Sequence, residues 1–366
     1  MIILSHTNLS GINLGGINLS EIKLGMPSGK GTGGEETFDP ASFNEAWTVT
    51  GKTNDDEDRA TVKNLTGNGN DLVLSNFAFA EDSGYGLYKL NFSEAKWTIA
   101  APSRVEATKT NSSFNVTKVK GVSIQLYYLS NKNDVVFTVP STKVRVTGLT
   151  DGQTINYRYF IDGTANDFLI STDGMYDLPE FEFPAKGDYY GFNFTKIQDS
   201  CNITIEQIPD YEGYLVTDGV DDFVASSNFN LYDDFTFVGE WILLSTDVSV
   251  NAGIVKASKL YIYNYITGIS LFINGTGSAA NTILQGIKSL KAICSDGRAY
   301  DENWNEIIVK FDVHGRENNS FILGSNTNNS NFTPLAFKNG AFYSDKVLTK
   351  DQCINAYNYL QTLKEK

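Results

Sequence analysis

Three aspartate residues in one short segment could bind a metal ion. Asp218, Asp221 and Asp222 lie close together in the chain, and Asp233 and Asp234 follow shortly after them. Carboxylate oxygens are the ligands that Ca²⁺ prefers, and a turn can bring carboxylates at this spacing to one point. The segment therefore predicts either a calcium site or a solvated turn at the end of a strand, and the sequence indicates no other cofactor.

Aromatic residues form a second candidate site, for a sugar. Tyr261, Tyr263 and Tyr265 alternate along one predicted strand and would share a face of the sheet, while Trp304 lies in a polar loop. Sugars bind by stacking on exposed aromatic rings beside polar side chains. The pattern fits a glycan site, but it also fits tyrosines packed in a core.

The sequence lacks the residue patterns of common catalytic sites. Its two histidines, His6 and His314, are too few for a multi-histidine metal centre, and no Gly-x-Ser-x-Gly motif is present. The Glu-x-Asp-x-x-Glu pattern, which places two glycosidase carboxylates on one sheet face, is also missing. We therefore expect a protein that is not an enzyme.

The overall charge excludes one class of partner. The 366 residues include 29 Lys and Arg against 43 Asp and Glu, a net charge of -14. Binding to a phosphate backbone requires clustered basic residues, so nucleic acid is not an expected partner.

The three cysteines are far apart in the chain and indicate no disulfide framework. No apolar stretch approaches the ~20 residues of a membrane span, and we expect neither membrane insertion nor an export signal.

The elements that must position these residues are predicted to be β-strands. Short alternating or β-branched runs recur along the chain and are separated by turn pairs such as Asp151-Gly152 and Asp162-Gly163. This spacing predicts an all-β fold, with a small β domain at 37–100 and a second at 101–209. The segment Thr147–Tyr159 resembles the turn of fibronectin type III and immunoglobulin-like sandwiches that leads into a strand with a buried tyrosine.

The C-terminal region, 210–366, resembles laminin-G and concanavalin-like lectin domains. Tyr214–Val224, Phe235–Trp241 and Ala336–Gln352 carry this resemblance. It implies a jelly-roll sandwich with one closing helix. The helix is also predicted locally, because Thr349 and Gln352 have the spacing of a capping box, and apolar residues then recur at helical spacing as far as Leu363.

The N-terminus, 1–36, is predicted to be a docking segment followed by a Gly-rich linker. Leu9, Leu14, Leu19 and Leu24 recur every five residues, a pattern that resembles pentapeptide repeats. Four pentads are too few to bury an apolar face alone. They must pack on a partner protein, on copies of the same chain, or as short strands on the following domain.

Three segments, Lys63–Phe79, Asp218–Phe223 and Ile293–Asp301, together resemble structural proteins of bacteriophages that infect gut Bacteroidales, including the crAss-like phages. The resemblance implies a virion head fibre, assembled in the host cytoplasm, bound to other virion proteins through residues 1–25 and displaying its lectin-like domain to host or mucosal glycans. Fibres are usually symmetric oligomers, so we expect a homotrimer. A tail fibre of the same phage, or a bacterial carbohydrate-binding module, are the alternatives.

Overall fold

The structure is a computed structural model, and it describes part of the chain. The described residues are 13–14, 17–18, 38–67, 69–99, 105–119, 123–129, 136–183, 189–195, 197, 200–227, 231–245, 252–257, 260–265, 268–273, 282–309, 320–327 and 330–365. The chain divides into two compact units, Met1–Asp39 and Pro40–Lys366.

The N-terminal unit contains one pair of short strands among its described residues. β1 (Asn13–Leu14) pairs antiparallel with β2 (Ile17–Asn18), so the second and third pentads contribute one strand each. Of the four repeating leucines, Leu14 lies in β1 by its backbone. Leu9, Leu19, Leu24 and the side chain of Leu14 lie outside the described residues.

The larger unit is an all-β fold with a single helix in its described part, as the sequence predicted. Residues 45–87 form β3 (Glu45–Thr48), β4 (Thr61–Val62), β5 (Leu72–Ser75) and β6 (Gly84–Leu87). Residues 97–208 form β7 (Trp97–Ile99), β8 (Val105–Lys109), β9 (Ser113–Val119), β10 (Ser123–Leu129), β11 (Phe137–Val139), β12 (Thr142–Thr147), β13 (Thr154–Ile161), β14 (Thr164–Ile170), β15 (Gly174–Leu178), β16 (Phe181–Phe183), β17 (Tyr189–Thr195) and β18 (Ser200–Ile208). Residues 210–360 form β19 (Asp210–Val216), β20 (Phe223–Ser227), β21 (Phe235–Leu243), β22 (Ala252–Ala257), β23 (Leu260–Tyr265), β24 (Gly268–Ile273), β25 (Thr282–Gln285), β26 (Leu290–Cys294), β27 (Arg298–Asp301), β28 (Glu306–Ile308), β29 (Ser320–Leu323), β30 (Ser325–Thr327), β31 (Ser330–Phe332), β32 (Leu335–Ser344) and α1 (Lys350–Leu360).

Strands β7–β18 form the first sandwich, which encloses a hydrophobic core of its own. One sheet has the order β14-β13-β17-β10-β7 and the other β15-β12-β18-β9-β8, while β11 pairs with β16. In β12, Val144 and Val146 are buried and Lys143 and Arg145 are exposed, the alternation expected of a sheet with one face on a core. The fully buried Tyr157 lies in β13, where the fibronectin-like segment predicted a buried tyrosine.

The second sandwich has two eight-stranded sheets around a larger core. One sheet has the order β28-β27-β26-β21-β32-β19-β6, with β3 also paired to β32, and the other β25-β24-β23-β22-β29-β20-β5-β4. Strands from residues 45–87 thus contribute to both sheets of the sandwich that residues 210–344 complete. The sequence had predicted a separate small domain at 37–100. Strands β3–β6 contribute instead to a core formed mainly by residues far along the chain, while β7 joins the first sandwich, so the difference arises from long-range pairing.

The first sandwich is inserted into the second between β6 and β19. These two strands pair antiparallel, with Leu87 opposite Asp210, so the chain leaves the second sandwich and returns to it at adjacent positions. Just inside the insertion, the buried side chain of Gln207 joins the first and last segments of the inserted sandwich by hydrogen bonds. Leu90 N donates to its Oε1 at 2.8 Å, and its Nε2 donates to Leu90 O at 3.3 Å.

Helix α1 confirms the predicted capping box. Gln352 N donates to Thr349 Oγ1 at 3.3 Å, and Thr349 N donates to Gln352 Oε1 at 2.9 Å. The helix ends at Leu360, short of the predicted Leu363, because the last turn tightens: Thr362 N donates to Tyr359 O at 2.9 Å and Leu363 N to Leu360 O at 3.2 Å, three residues back instead of four. No helix in the described ranges is long and apolar enough to cross a bilayer.

Candidate functional site

The turn between β19 and β20 brings the three predicted aspartates together. Each of Asp218, Asp221 and Asp222 offers a carboxylate oxygen, and these oxygens all lie within 4.8 Å of one another. Asp221 is exposed, Asp218 is half-buried and Asp222 is fully buried. Asp233 and Asp234 are exposed and lie outside this group. Three carboxylates at this separation offer oxygen ligands of the kind that a hard cation such as Ca²⁺ takes.

The local backbone holds the turn in a shape that gathers the carboxylates. Asp218 Oδ1 accepts hydrogen bonds from Val220 N at 2.7 Å and Asp221 N at 3.3 Å. Gly219 has φ +76°, and a Cβ atom at this position would lie 2.6 Å from Pro334 Cδ. A glycine is therefore required here, for its φ and for the close approach of Pro334.

Asp222 is the buried member of the group, and part of its hydrogen-bonding capacity is unused. Its Oδ2 accepts from Asp218 N at 2.9 Å, and a hydrogen bond from the Ser83 side chain to the carboxyl group lowers its pKa. By hydrogen-bond geometry, its Oδ1 has no partner among the described residues. Burial raises the pKa of Asp222 to about 7, and the charge of Asp218 acts in the same direction. A buried carboxyl oxygen without a hydrogen-bond donor can accept a bond from a cation. The residues therefore fit calcium.

An open cleft adjoins this turn. Its volume is about 430 Å³, and Asp82, Val216, Asp218, Val220, Leu244 and Pro334 line it. Asp218 thus belongs both to the carboxylate group and to the wall of the cleft. Val220 is 71% exposed at its edge, so the cleft combines acidic oxygens with an accessible apolar surface.

Among the described residues, the predicted aromatic site does not form a single sugar-binding surface. Tyr261 lies in β23 and is 9% exposed, so its ring is largely covered and offers little surface for a sugar to stack on. Tyr263 and Tyr265 alternate with it along the same strand, but their side chains lie outside the described residues.

Trp304 lies on the other sheet, in the loop between β27 and β28. Its ring centroid is 5.6 Å from that of Tyr357 of α1 in an edge-on contact, and Lys291 Nζ is 5.4 Å from its centroid. The residue has φ +62°, and the loop is fixed by Asp301 Oδ1, which accepts from Asn305 N at 2.8 Å. Trp304 therefore packs against the closing helix and remains only half-exposed.

A second pocket lies where no sequence pattern predicts one. It has a volume of about 190 Å³, and the residues that line it include Glu81, Glu94, Trp97, Tyr128 and Tyr190. Burial raises the pKa of Glu81 to about 7, and the hydrogen bond and charge of Glu94 add to the effect. The two glutamates belong to no motif, so only the fold could reveal that they meet.

Searches of the chain against protein-family models and against curated proteins find no match.

Proposed function

We propose that this protein is a bacteriophage virion fibre subunit, a head fibre, that attaches through its N-terminal segment and carries a calcium-dependent adhesion module for host or mucosal glycans. The observation that carries the adhesion part is the position of Asp218. It belongs to a carboxylate group suited to Ca²⁺ and also lines the 430 Å³ cleft. A ligand in the cleft would lie within reach of a cation bound at the turn.

The division of the chain supports the attachment part of the proposal. The short unit Met1–Asp39 and the large β unit Pro40–Lys366 are compact separately, and the sequence between the leucine pentads and the β unit is rich in glycine. Gly-rich segments act as flexible linkers. A linked pair of this kind suits a protein that is fixed at one end and displays the other.

The location is tested by immunogold electron microscopy of phage particles with an antibody raised against residues 210–366. Gold at the capsid supports a head fibre, whereas gold along the tail supports the tail-fibre alternative. Label on the surface of bacterial cells with none on particles would reject the virion role and favour a bacterial carbohydrate-binding module.

Assembly is tested separately by sedimentation equilibrium of the full chain. We propose a homotrimer, because short repeat segments gain a packing surface when copies associate. A mass of one chain across the accessible concentration range would reject the oligomer.

The calcium site is tested by calorimetry and thermal unfolding of the metal-free protein, with and without millimolar CaCl₂. Ligand binding to the folded state alone raises the unfolding midpoint. Asp222→Asn should abolish the heat of binding and the shift in midpoint, whereas Asp151→Asn, at an exposed turn of the other sandwich, should keep both. A chelator-sensitive signal on a glycan array would then connect the cation to adhesion. Equal calcium binding by the Asp222→Asn variant would reject the site.

A further inference from the structure

Two cysteines that are distant in sequence meet inside the second sandwich. Cys294 is the last residue of β26, and Cys353 lies in the first turns of α1. Cys294 Sγ donates to Leu348 O at 3.8 Å, two residues before α1 begins, which places this sulfur at the first turn of the helix that carries Cys353. The two side chains interact there through a hydrogen bond that shifts the pKa of both, and both residues are 0% exposed. Both are free thiols, as is the third cysteine, Cys201 of β18.

The surroundings of the pair make its two thiols chemically unequal. The hydrogen bond from Cys353 lowers the pKa of Cys294, while the bond to Cys294 and burial raise the pKa of Cys353. Thr236 Oγ1 lies 3.8 Å from Cys294 Sγ and donates to it, and the positive charge of Arg298 acts in the same direction on the pKa of Cys294. Cys294 therefore forms a thiolate first, and the thiolate is the nucleophile in thiol–disulfide exchange.

We propose that Cys294 and Cys353 are a site of covalent modification, at which an internal disulfide forms when the protein meets a small-molecule disulfide such as oxidised glutathione. The Cys294 thiolate attacks one sulfur of the reagent, and a glutathione thiolate leaves. Cys353 then loses its proton and attacks the Cys294 sulfur of this mixed disulfide, and a second glutathione leaves. Two S–H bonds are replaced by one S–S bond, and the reagent takes up the two electrons and two protons.

The bond would join the closing helix to the sheet on which it packs. Because both thiols are buried, the first attack requires α1 to move away from the sheet for a short time, so the reaction should be slow and should accelerate under mild destabilisation. Once formed, the cross-link restrains the unfolded chain and opposes that movement. The chemistry is independent of the proposed fibre role, although transfer from a reducing cytoplasm to the outside would provide the change of environment.

Cys201 supplies an internal control. It is partly exposed, its thiol donates to Val116 O at 3.5 Å, and it lies in the other sandwich. It should react with added reagents first, yet it should form no bond to either member of the pair. A Cys201→Ser variant therefore isolates the pair without touching its contacts.

The test treats the full-length Cys201→Ser variant with oxidised glutathione, unfolds it, alkylates the remaining thiols and measures intact mass and linked peptides. We expect a loss of two hydrogens, no alkylation, and one peptide pair that joins Cys294 to Cys353. The unfolding midpoint should rise by about 5 °C or more and return after reduction with dithiothreitol. Cys201→Ser/Cys353→Ser should gain glutathione at Cys294 or stay unmodified, with no such rise.

Full alkylation of both cysteines after prolonged oxidation in mild urea would overturn the proposal, as would a cross-link only between different chains. These readouts use the purified chain alone, so they stand whether or not the protein is found on virions. If Cys201→Ser/Cys353→Ser does not fold, Cys201→Ser/Cys294→Ser serves as the control. The intact mass and the linked peptides of Cys201→Ser decide the question even without a double variant.

Discussion

The indole ring of Trp47 stacks on the ring of Phe321, with centroids 5.0 Å apart and ring planes 10° apart. Trp47 belongs to β3 and Phe321 to β29, so the contact joins the two opposing sheets of the second sandwich. Both residues are fully buried, and Trp47 Nε1 donates to Asn70 O at 2.8 Å. An early strand is therefore packed against a late one through buried aromatic rings, and Phe342 of β32 also contacts Trp47, with ring centroids 6.4 Å apart.

Replacing this ring should destabilise the protein strongly. We expect Trp47→Ala to lower the free energy of unfolding by about 3–5 kcal/mol, because it removes the stacked ring and leaves a cavity. Val73→Ala, at a position of β5 that is 53% exposed, should change it by less than about 0.5 kcal/mol. Urea denaturation of both variants checks the difference, and similar losses in the two would contradict the role of Trp47.

The Glu81 and Glu94 pair should make stability depend on pH. The ordinary pKa of a glutamate is 4.5, and the folded-state pKa of Glu81 is about 7, so the folded protein holds a proton that the unfolded chain releases over that range. The resulting stabilisation is fully present below pH 4.5 and is lost as the pH rises through about 7. Asp222 contributes with the same sign.

Glu81→Gln should therefore flatten part of the decrease in the free energy of unfolding between about pH 5 and about pH 8. Glu182→Gln, an exposed position of β16, should leave the slope of the wild type unchanged. Urea titrations across this range provide the measurement. An unchanged slope in Glu81→Gln would show that Glu81 holds no extra proton in the folded state.

The capping box of α1 provides a smaller and more local prediction. Thr349→Ala removes the side chain that accepts from Gln352 N, and such a loss costs about 1 kcal/mol. Lys350→Ala, exposed in the same turn, keeps the box and should be close to neutral. Thermal unfolding of the two variants measures the difference, and equal midpoints would argue against a stabilising cap.

The insertion predicts that the two sandwiches can be separated. Residues 88–209 can be replaced by a two-residue Asn-Gly turn, because Leu87 and Asp210 are already paired across the ladder and this turn suits a hairpin. We expect the shortened chain to keep a cooperative unfolding transition, and residues 88–209 to fold alone around their own core. Circular dichroism and urea unfolding test both pieces, and an unfolded shortened chain would show that the second sandwich needs the first.

The sequence predicted those parts of the fold that depend on neighbouring residues. The capping box of Thr349 and Gln352 and the turn at Asp162-Gly163, which joins β13 to β14, depend on local chemistry and are present in the structure. The closeness of Asp218 to Asp222 was equally local. The full burial of Asp222 was not, because it depends on strands from distant parts of the chain.

Long-range relationships could not be predicted in this way. The pairing of Leu87 with Asp210 and the contact of Cys294 with Cys353 join residues that no sequence pattern connects. Tyr261 is a further example, because alternation along a strand does not tell which face of the sheet is buried. Register within a sheet is set by the partner strands, and those were known only from the fold.

The pairing of β3 with β32 has a consequence for the order of events during protein synthesis. Trp47 is opposite Gly340 in that ladder, so the second sandwich cannot close until almost the entire chain has left the ribosome. The inserted sandwich needs only residues up to Ile208. It can therefore be complete before β6, β5 and β3 can pair with β19, β20 and β32. At a synthesis rate of about 5–20 residues per second, the roughly 290 residues between Trp47 and Gly340 take about 15–60 s to make, and the nascent chain is most exposed to chaperones and to misfolding in this interval.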